Sequence, residues 1–177
     1  VDTSSGKWAY QIDNSSSKVQ ALNDGVDYPD TFVIRAQDRH GAFVDQTITV
    51  HITGTNDVPV ISSSVQEGAV KEDVTLSATG QVTSTDVDHD ATATYSGDAT
   101  GKYGTFAVDA ETGEWTYTLD NTSEGVQALK DGETQTETFT VTVTDDQGDT
   151  ATQDVTVTVT GTNDVPVISS SVQEGAV

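Results

Sequence analysis

"FTVTVTDDQGDTATQDVTVTVT", residues 139–160, decides how this chain is read. Phe139, Val141 and Val143 alternate with threonines, and Val155, Val157 and Val159 do the same. Successive side chains of a strand point to opposite faces, so each run has one apolar and one wet face. Between them "DDQGD" at 145–149 supplies a polar, glycine-bearing turn. The alternation continues in "EWTYTLD" at 114–120, with Trp115, Tyr117 and Leu119 on one side. It also runs through "VTLSATGQV" at 74–82, with Val74, Leu76 and Ala78. "DAETGE" at 109–114 reads as a hairpin loop, and "SEGVQALKDG" at 123–132 is the one segment suited to a helical turn. An apolar content of 33% would suit a disordered chain, but the apolar residues are periodic, which argues for a packed core.

Seventeen residues, "GTNDVPVISSSVQEGAV", occur at 54–70 and again at 161–177, an offset of 107. The same offset places Trp8 on Trp115, Tyr10 on Tyr117, Phe32 on Phe139, Asp38 on Asp145 and Gly41 on Gly148, without a gap. A fixed period marks a tandem array, and a unit of 107 residues is long enough to bury its own core. Residues 1–57 read as the back part of an incomplete repeat, 58–164 as a complete repeat with its trailing linker, and 165–177 as the first strand of a third. Seven strands are expected near 58–62, 73–84, 91–96, 103–108, 114–119, 137–144 and 151–160. The expected fold is all-β, an Ig-like Greek-key sandwich with Trp115 and Tyr117 in its core. Residues 1–53 would then supply only the last three strands of a unit, too few to close a two-sheet core. Borrowed strands, poor order or a shifted boundary are the open readings. The small, polar, Pro-terminated "GTNDVP" favours a linker over a shifted boundary.

The formal net charge is −22, from 29 acidic and 7 basic residues, which excludes a nucleic-acid backbone or an anionic membrane as a general partner. Without cysteine there is neither a disulfide framework nor a thiolate metal site; this fits a secreted bacterial protein and equally a cytosolic one. No apolar run is long enough for membrane insertion by this segment. The acidic residues gather in three segments that an Ig-like sandwich brings to one pole. These are the linker "TGTNDVP" with Asn56 and Asp57, the loop "TDVDHD" with Asp86, Asp88 and Asp90, and the loop "TDDQGD" with Asp145, Asp146 and Asp149. Carboxylates this close repel one another unless a cation sits among them, and a solvated surface is the plain alternative. Oxygen ligands with no Cys and scarce His favour Ca²⁺ over zinc or copper, and over Mg²⁺, which dehydrates reluctantly. An EF-hand does not fit, because Ala91 and Gly97 stand where its Gly and Glu are needed. The second linker repeats the donors as Asn163 and Asp164. Further ligands are expected from the opposite pole: Asp13, Asn14 and Asp24 in the first repeat, and Glu67, Glu72, Asp120, Asn121 and Asp131 in the complete one.

"EDVTLSATGQVTSTDVDHDATATYSG" (72–97), "KYGTFAVDAETGEWTYTLDN" (102–121) and the run from "VQALKDG" at 126 to "GTNDVPV" at 167 resemble the VCBS-type repeat of large bacterial repeat-in-toxin surface adhesins. The resemblance implies a cadherin- or Ig-like extender module, secreted to the bacterial cell surface, often with Ca²⁺ at domain junctions. "TND" before proline and "DVD" at 86–88 resemble the cadherin linker and its paired-aspartate loop, which carries Asn56, Asp57, Asp86 and Asp88 over as ligands. Val58 departs from the cadherin pattern, where the Asx run continues.

Three functions are open to such a chain. The first is a calcium-stiffened stalk whose partners are neighbouring repeats and which projects an adhesive region for surface attachment or biofilm formation. The second is a calcium-dependent module that binds surface glycans or another adhesin copy; Tyr28 and Tyr103 are its loop-adjacent aromatics. The third, an enzyme, is not expected: the complete unit holds one histidine, His89, in an acidic loop, and no nucleophile–base pair stands out.

Overall fold

Trp115 and Tyr117 are among the most deeply buried side chains in the computed structural model, which describes residues 1–170. In chain order the elements are α1 (Ser17–Gln20), β1 (Asp27–Gln37), β2 (Phe43–Thr53), β3 (Val60–Ile61), β4 (Gln66–Lys71), β5 (Ser77–Gln81), β6 (Ser84–Thr85), β7 (Ala93–Ser96), β8 (Ala99–Thr100), β9 (Gly104–Val108), β10 (Glu114–Leu119), α2 (Glu124–Gln127), β11 (Thr134–Asp145) and β12 (Thr150–Thr160). Contacts divide the chain into two units. One takes Val1–Val60, Ser84–Ala93 and Thr144–Ala151; the other takes Ile61–Thr83, Thr94–Val143 and the chain from Thr152 on.

The second unit is the expected β-sandwich. One sheet runs β5-β10-β9-β8 and the other β4-β12-β11-β7, so strands distant in sequence lie side by side. The alternation read from the sequence becomes burial: Val141, Val143, Val155, Val157 and Val159 are fully buried and Phe139 nearly so, while their threonine neighbours are not. Phe106 of β9 stacks on Phe139 at 4.8 Å between ring centroids and on Trp115 at 5.7 Å, geometry that adds to simple area burial. Tyr117 is buried with its hydroxyl donating to Glu137 Oε2 at 2.5 Å. Burial, then this carboxylate, hold the phenol well above its usual pKa. The expected helical turn is α2, capped by Ser123, whose Oγ accepts from the Val126 N–H at 3.3 Å.

Several strands differ from expectation. The first reduces to β3, and an unforeseen strand, β4, pairs in parallel with β12 from Gln66↔Val155 to Lys71↔Thr160. Its inward positions are Gln66, Gly68 and Val70 rather than a run of branched residues, because Trp115 fills the space. The Trp115 indole N–H donates to Gln66 Oε1 at 2.9 Å, and a Cβ on Gly68 would lie 3.1 Å from the ring. The strand expected at 73–84 starts only at Ser77: Asp73 has φ 58°, the Lys71 N–H bonds Thr75 O, and this tight reversal leaves Val74 and Leu76 exposed. Tyr103, expected beside a loop as a ligand contact, is core at 5% exposure. Residues 165–170 are not a strand, and 171–177 of the segment expected to open a third repeat lie outside the described residues.

In the first unit, β1 and β2 pair antiparallel from Asp27↔Thr53 to Gln37↔Phe43. Residues 7–12, which the repeat offset places on β10, are not a strand. β10 takes its ladder from β5 on one side and β9 on the other, and residues 7–12 have neither neighbour within their own unit.

Gly80 of β5 gives the sharpest test of this packing. A Cβ there would lie 2.5 Å from Trp115 Cζ2 and 2.6 Å from Cε2, and the indole is fully enclosed. Gly80→Ala therefore destabilises the sandwich by about 1–3 kcal/mol through overpacking, read as a lower urea midpoint at unchanged slope. An unaltered midpoint would mean the indole can move aside.

Candidate metal centre

The three acidic segments do meet within one unit, around Asn56. Its amide nitrogen donates to Asp145 Oδ2 and to Asp149 Oδ2, both at 2.9 Å. Asp145 is nearly buried at the turn between β11 and β12, where its Oδ1 accepts the backbone N–H groups of Gln147, Gly148 and Asp149 at 2.9, 2.6 and 2.8 Å. Gly148, at φ 99°, permits that turn. Asp145 thus shapes the loop and anchors the linker. The Asn56 amide lowers its pKa most, the backbone N–H groups lower it further, and burial works the other way.

Asp57 and the loop after β6 form a second chain of bonds. The Asp57 N–H donates to Asp88 Oδ2 at 2.9 Å, and the Asp88 N–H donates to Asp86 Oδ1 at 3.0 Å. The other oxygens of both carboxylates, Asp86 Oδ2 and Asp88 Oδ1, are buried with no hydrogen-bond donor. Asn23 Oδ1 is in the same state, while its amide nitrogen donates to the His89 carbonyl at 2.9 Å. A cavity of about 20 Å³ is lined by Asn23, Asp24, Asn56, Asp88 and Asp146, among others, room for one water-sized occupant. Asp90 does not join the cluster: it has φ 59° and its carboxylate pairs with His89 Nδ1 at 2.9 Å, both side chains exposed.

The second linker lies by another acidic group. Glu72, Asp73 and Asp164 are the one set of three carboxylates among the described residues whose oxygens lie within 4.8 Å of one another. Glu72 is fully buried and accepts from Gln127 Nε2 at 2.6 Å and from the Thr162 N–H at 2.8 Å. Asp73 and Asn121 bond reciprocally: the Asp73 N–H donates to Asn121 Oδ1 at 2.9 Å, and Asn121 Nδ2 to Asp73 Oδ1 at 2.7 Å. Asn163 is exposed and donates to the Asp164 carbonyl.

Of the opposite-pole residues, Glu72 and Asn121 come together and Asp24 lines the small cavity. Asn14 bonds through its carbonyl to Gln20, as Asn121 does to Gln127. Asp13 and Asp120 instead close local turns, accepting from Ser15 and Thr122, and Glu67 lies exposed on β4. Sequence reading missed Asn23, Asp73 and Gln127. The offset hid Asn23, whose counterpart is Lys130, and Asp73 sat within an expected strand.

A family model described as the bacterial cadherin-like domain matches residues 56–161. The chain belongs to that family. Among solved structures, the cadherin-like chain resembles the protocadherin GammaB4 extracellular domain, at 23% identity and a TM-score of 0.55 over 85% of this chain and 22% of that one. Mouse cadherin-23 EC22-24 is similar at 21% identity and a TM-score of 0.50, over 88% of this chain and 46% of that one. The chain therefore spans less than half the length of these solved structures, and the likeness is one of fold. A search of the curated proteins finds no match.

A carboxylate with a depressed folded pKa adds stability above its unfolded pKa, and that contribution is lost as pH falls through the folded value. Asp145 is such a group, so the loop persists below the ordinary carboxylate range. In Asn56→Ala the Asp145 titration, followed by its carboxyl ¹³C shift, moves up toward the ordinary value, and acid release of the loop begins at higher pH. An unshifted titration would mean the backbone donors alone set it.

Proposed function

We propose that this cadherin-like domain is a calcium-stiffened extender of a large secreted bacterial surface adhesin, of the VCBS and repeat-in-toxin kind. What carries the reading is the set of buried oxygens without donors, Asp86 Oδ2, Asp88 Oδ1 and Asn23 Oδ1, around the first linker. A buried polar atom left unpaired is costly, and a buried carboxylate oxygen more so. A cation removes that cost. The donor set is all oxygen and without sulfur, and suits Ca²⁺, which accepts irregular oxygen cages, better than zinc or Mg²⁺.

Asp86, Asp88 and Asn23 would hold such an ion, with Asn56, Asp57, Asp146 and Asp149 beside them. At the second linker Glu72, Asp73 and Asp164 would contribute, with Asn163 next to them and the next repeat supplying the rest. Bound there, Ca²⁺ supplies charge neutralisation and shared coordination of linker and loops, which removes hinge freedom. Neighbouring repeats are then the main partners, and the string of domains projects a distal adhesive region. A site of order 10⁻⁴–10⁻³ M would fill outside a cell and stay empty in the cytosol. The cadherin-like family supports an adhesion or extender role rather than catalysis.

The test is thermal unfolding in EDTA, in millimolar Ca²⁺ and in equal Mg²⁺, with small-angle scattering alongside. Ca²⁺ raises the melting temperature and lengthens the particle, and Mg²⁺ does much less; mass action stabilises by about 2.7 kcal/mol at a hundredfold excess over Kd. The isosteric double variant Asp86→Asn/Asp88→Asn keeps its EDTA melting temperature and loses the Ca²⁺ response. Equal responses to both ions, or a full response in the double variant, would remove this reading.

A further inference from the structure

The outer edge of β11 is covered along only part of its length. β7 is its neighbour on the side away from β12, but β7 has four residues against twelve. Gly97, just past β7, lies against the Thr140 carbonyl. The chain then crosses to the other sheet, where Ala99 and Thr100 pair with β9. Residues 134–139 therefore have no strand beside them on that side among the described residues. The direction of their backbone groups follows from the register. The Asp145 N–H bonds the Asp149 carbonyl at the β11–β12 turn, and Thr140 Oγ1 donates to Asp154 Oδ1 further along, so both ends agree on one alignment. Along an antiparallel ladder, alternate residues bond opposite neighbours. Asp145 faces β12 and the Thr140 carbonyl faces Gly97, so Thr136 and Thr138 present their N–H and C=O to the open edge.

These groups border a groove of about 430 Å³ between residues 135–139 and residues 99–103. An open edge is ordinarily guarded by a projecting charge or a proline. "TQTETFT", residues 134–140, has no proline and no lysine, and its one charge is tied down. The Glu137 carboxylate accepts the backbone N–H groups of Lys102 and Tyr103 and the Tyr117 hydroxyl. Lys102, on the facing wall, is turned back on its neighbour: its Nζ donates to the Tyr103 hydroxyl at 2.7 Å. Neither charge reaches over the edge as a guard. The lining combines the buried rings of Tyr103 and Phe139 with the exposed Thr100, Thr136 and Thr138.

We infer that this groove is a docking site for an extended segment of a basic partner protein, taken up as an added strand beside Thr136 and Thr138. Main-chain bonds to those two residues supply the attachment. The wall of residues 99–103 stands beside the edge, so a lone extended chain enters where the edge of a folded domain is obstructed. Charge selects the partner. A net charge of −22 repels a second copy of this chain and draws a polypeptide of opposite sign. The docked segment is uncharged where it passes the threonines, because both charges of the groove already have partners, and basic on either side.

The probe is a synthetic peptide of alternating threonine and valine flanked by lysines, added to the full chain and followed by amide hydrogen exchange. In the chain alone the Thr136 and Thr138 amides exchange fast and those of Glu137 and Phe139 slowly. With peptide in excess, the two threonine amides slow by about tenfold. Thr136→Pro removes an N–H that faces away from β12, and Thr100→Trp fills the groove from its other wall; each keeps the melting temperature and loses peptide binding. A peptide of the same charge, N-methylated at alternate residues, does not bind. Absence of protection at Thr136 and Thr138 overturns the proposal. So does equal binding of the N-methylated peptide, which would make the attraction one of charge alone, or unchanged binding to both variants. Protection that rises with the concentration of the chain alone would make a second copy the occupant and overturn it as well.

Discussion

Asn56 holds two carboxylates, Asp145 and Asp149, through one neutral amide, and this manner of holding charge governs the rest of the site. Glu72 is held in the same way, by the Gln127 amide and a backbone N–H. Asp86 and Asp88 each accept a backbone N–H. Among the described residues none of these carboxylates is paired with lysine or arginine, in a chain with 7 basic residues against 29 acidic. Neutral donors fix the direction of a carboxylate and leave its charge uncancelled. Orientation without neutralisation is a poor arrangement for stability alone and a good one for receiving a cation.

The linker is tied to each repeat with equal care. A Cβ on Gly54 would lie 2.0 Å from the Leu22 carbonyl oxygen, and one on Gly161 would lie 2.5 Å from Leu129 Cβ. Leu22 and Leu129 correspond under the offset, so each copy of "GTND" leaves its repeat through the same tight passage. Glu72 then fixes Thr162, and Asp145 and Asp149 fix Asn56. The glycine of both linker copies is demanded by space, and Asn56 of the first copy by the carboxylates it holds, whereas Asn163 of the second is exposed and donates to the Asp164 carbonyl.

What was legible in the sequence was whatever alternates. β10, β11 and β12 display their burial in their letters, and with them the sandwich, the core tryptophan and the acidic loops at their ends. What could not be read was structure made by something elsewhere in the chain. β4 shows no apolar alternation because the Trp115 ring occupies the volume its side chains would fill. Tyr103 lies at the start of β9 beside a glycine, which resembles a loop until its ring is seen packed in the core. Among site residues, Asp90 stands in a D-x-D-x-D run, yet its backbone is left-handed and its carboxylate pairs with His89. The role of Asn23 depends on an oxygen left without a donor, which no spacing rule encodes.

The repeat also carries a constraint on its own assembly. Residues 7–12 and β10 share their tryptophan and tyrosine, "KWAYQI" against "EWTYTL", and only the second is a strand, with β5 and β9 paired on either side of it. β9 joins β10 through a short hairpin, whereas β5 joins it through a pairing distant in sequence, which is slow to form and leaves an edge open meanwhile. The fit of the Trp115 indole to Gly68 and Gly80 is one of shape, so it does not by itself distinguish a half belonging to its own repeat from a half belonging to a neighbour. Discrimination has to come from chain connectivity: the loop between β9 and β10 is short, which makes the correct half the nearest one. An array of this design therefore relies on short connections within a repeat and a firmly held linker between repeats to keep each half with its own partner.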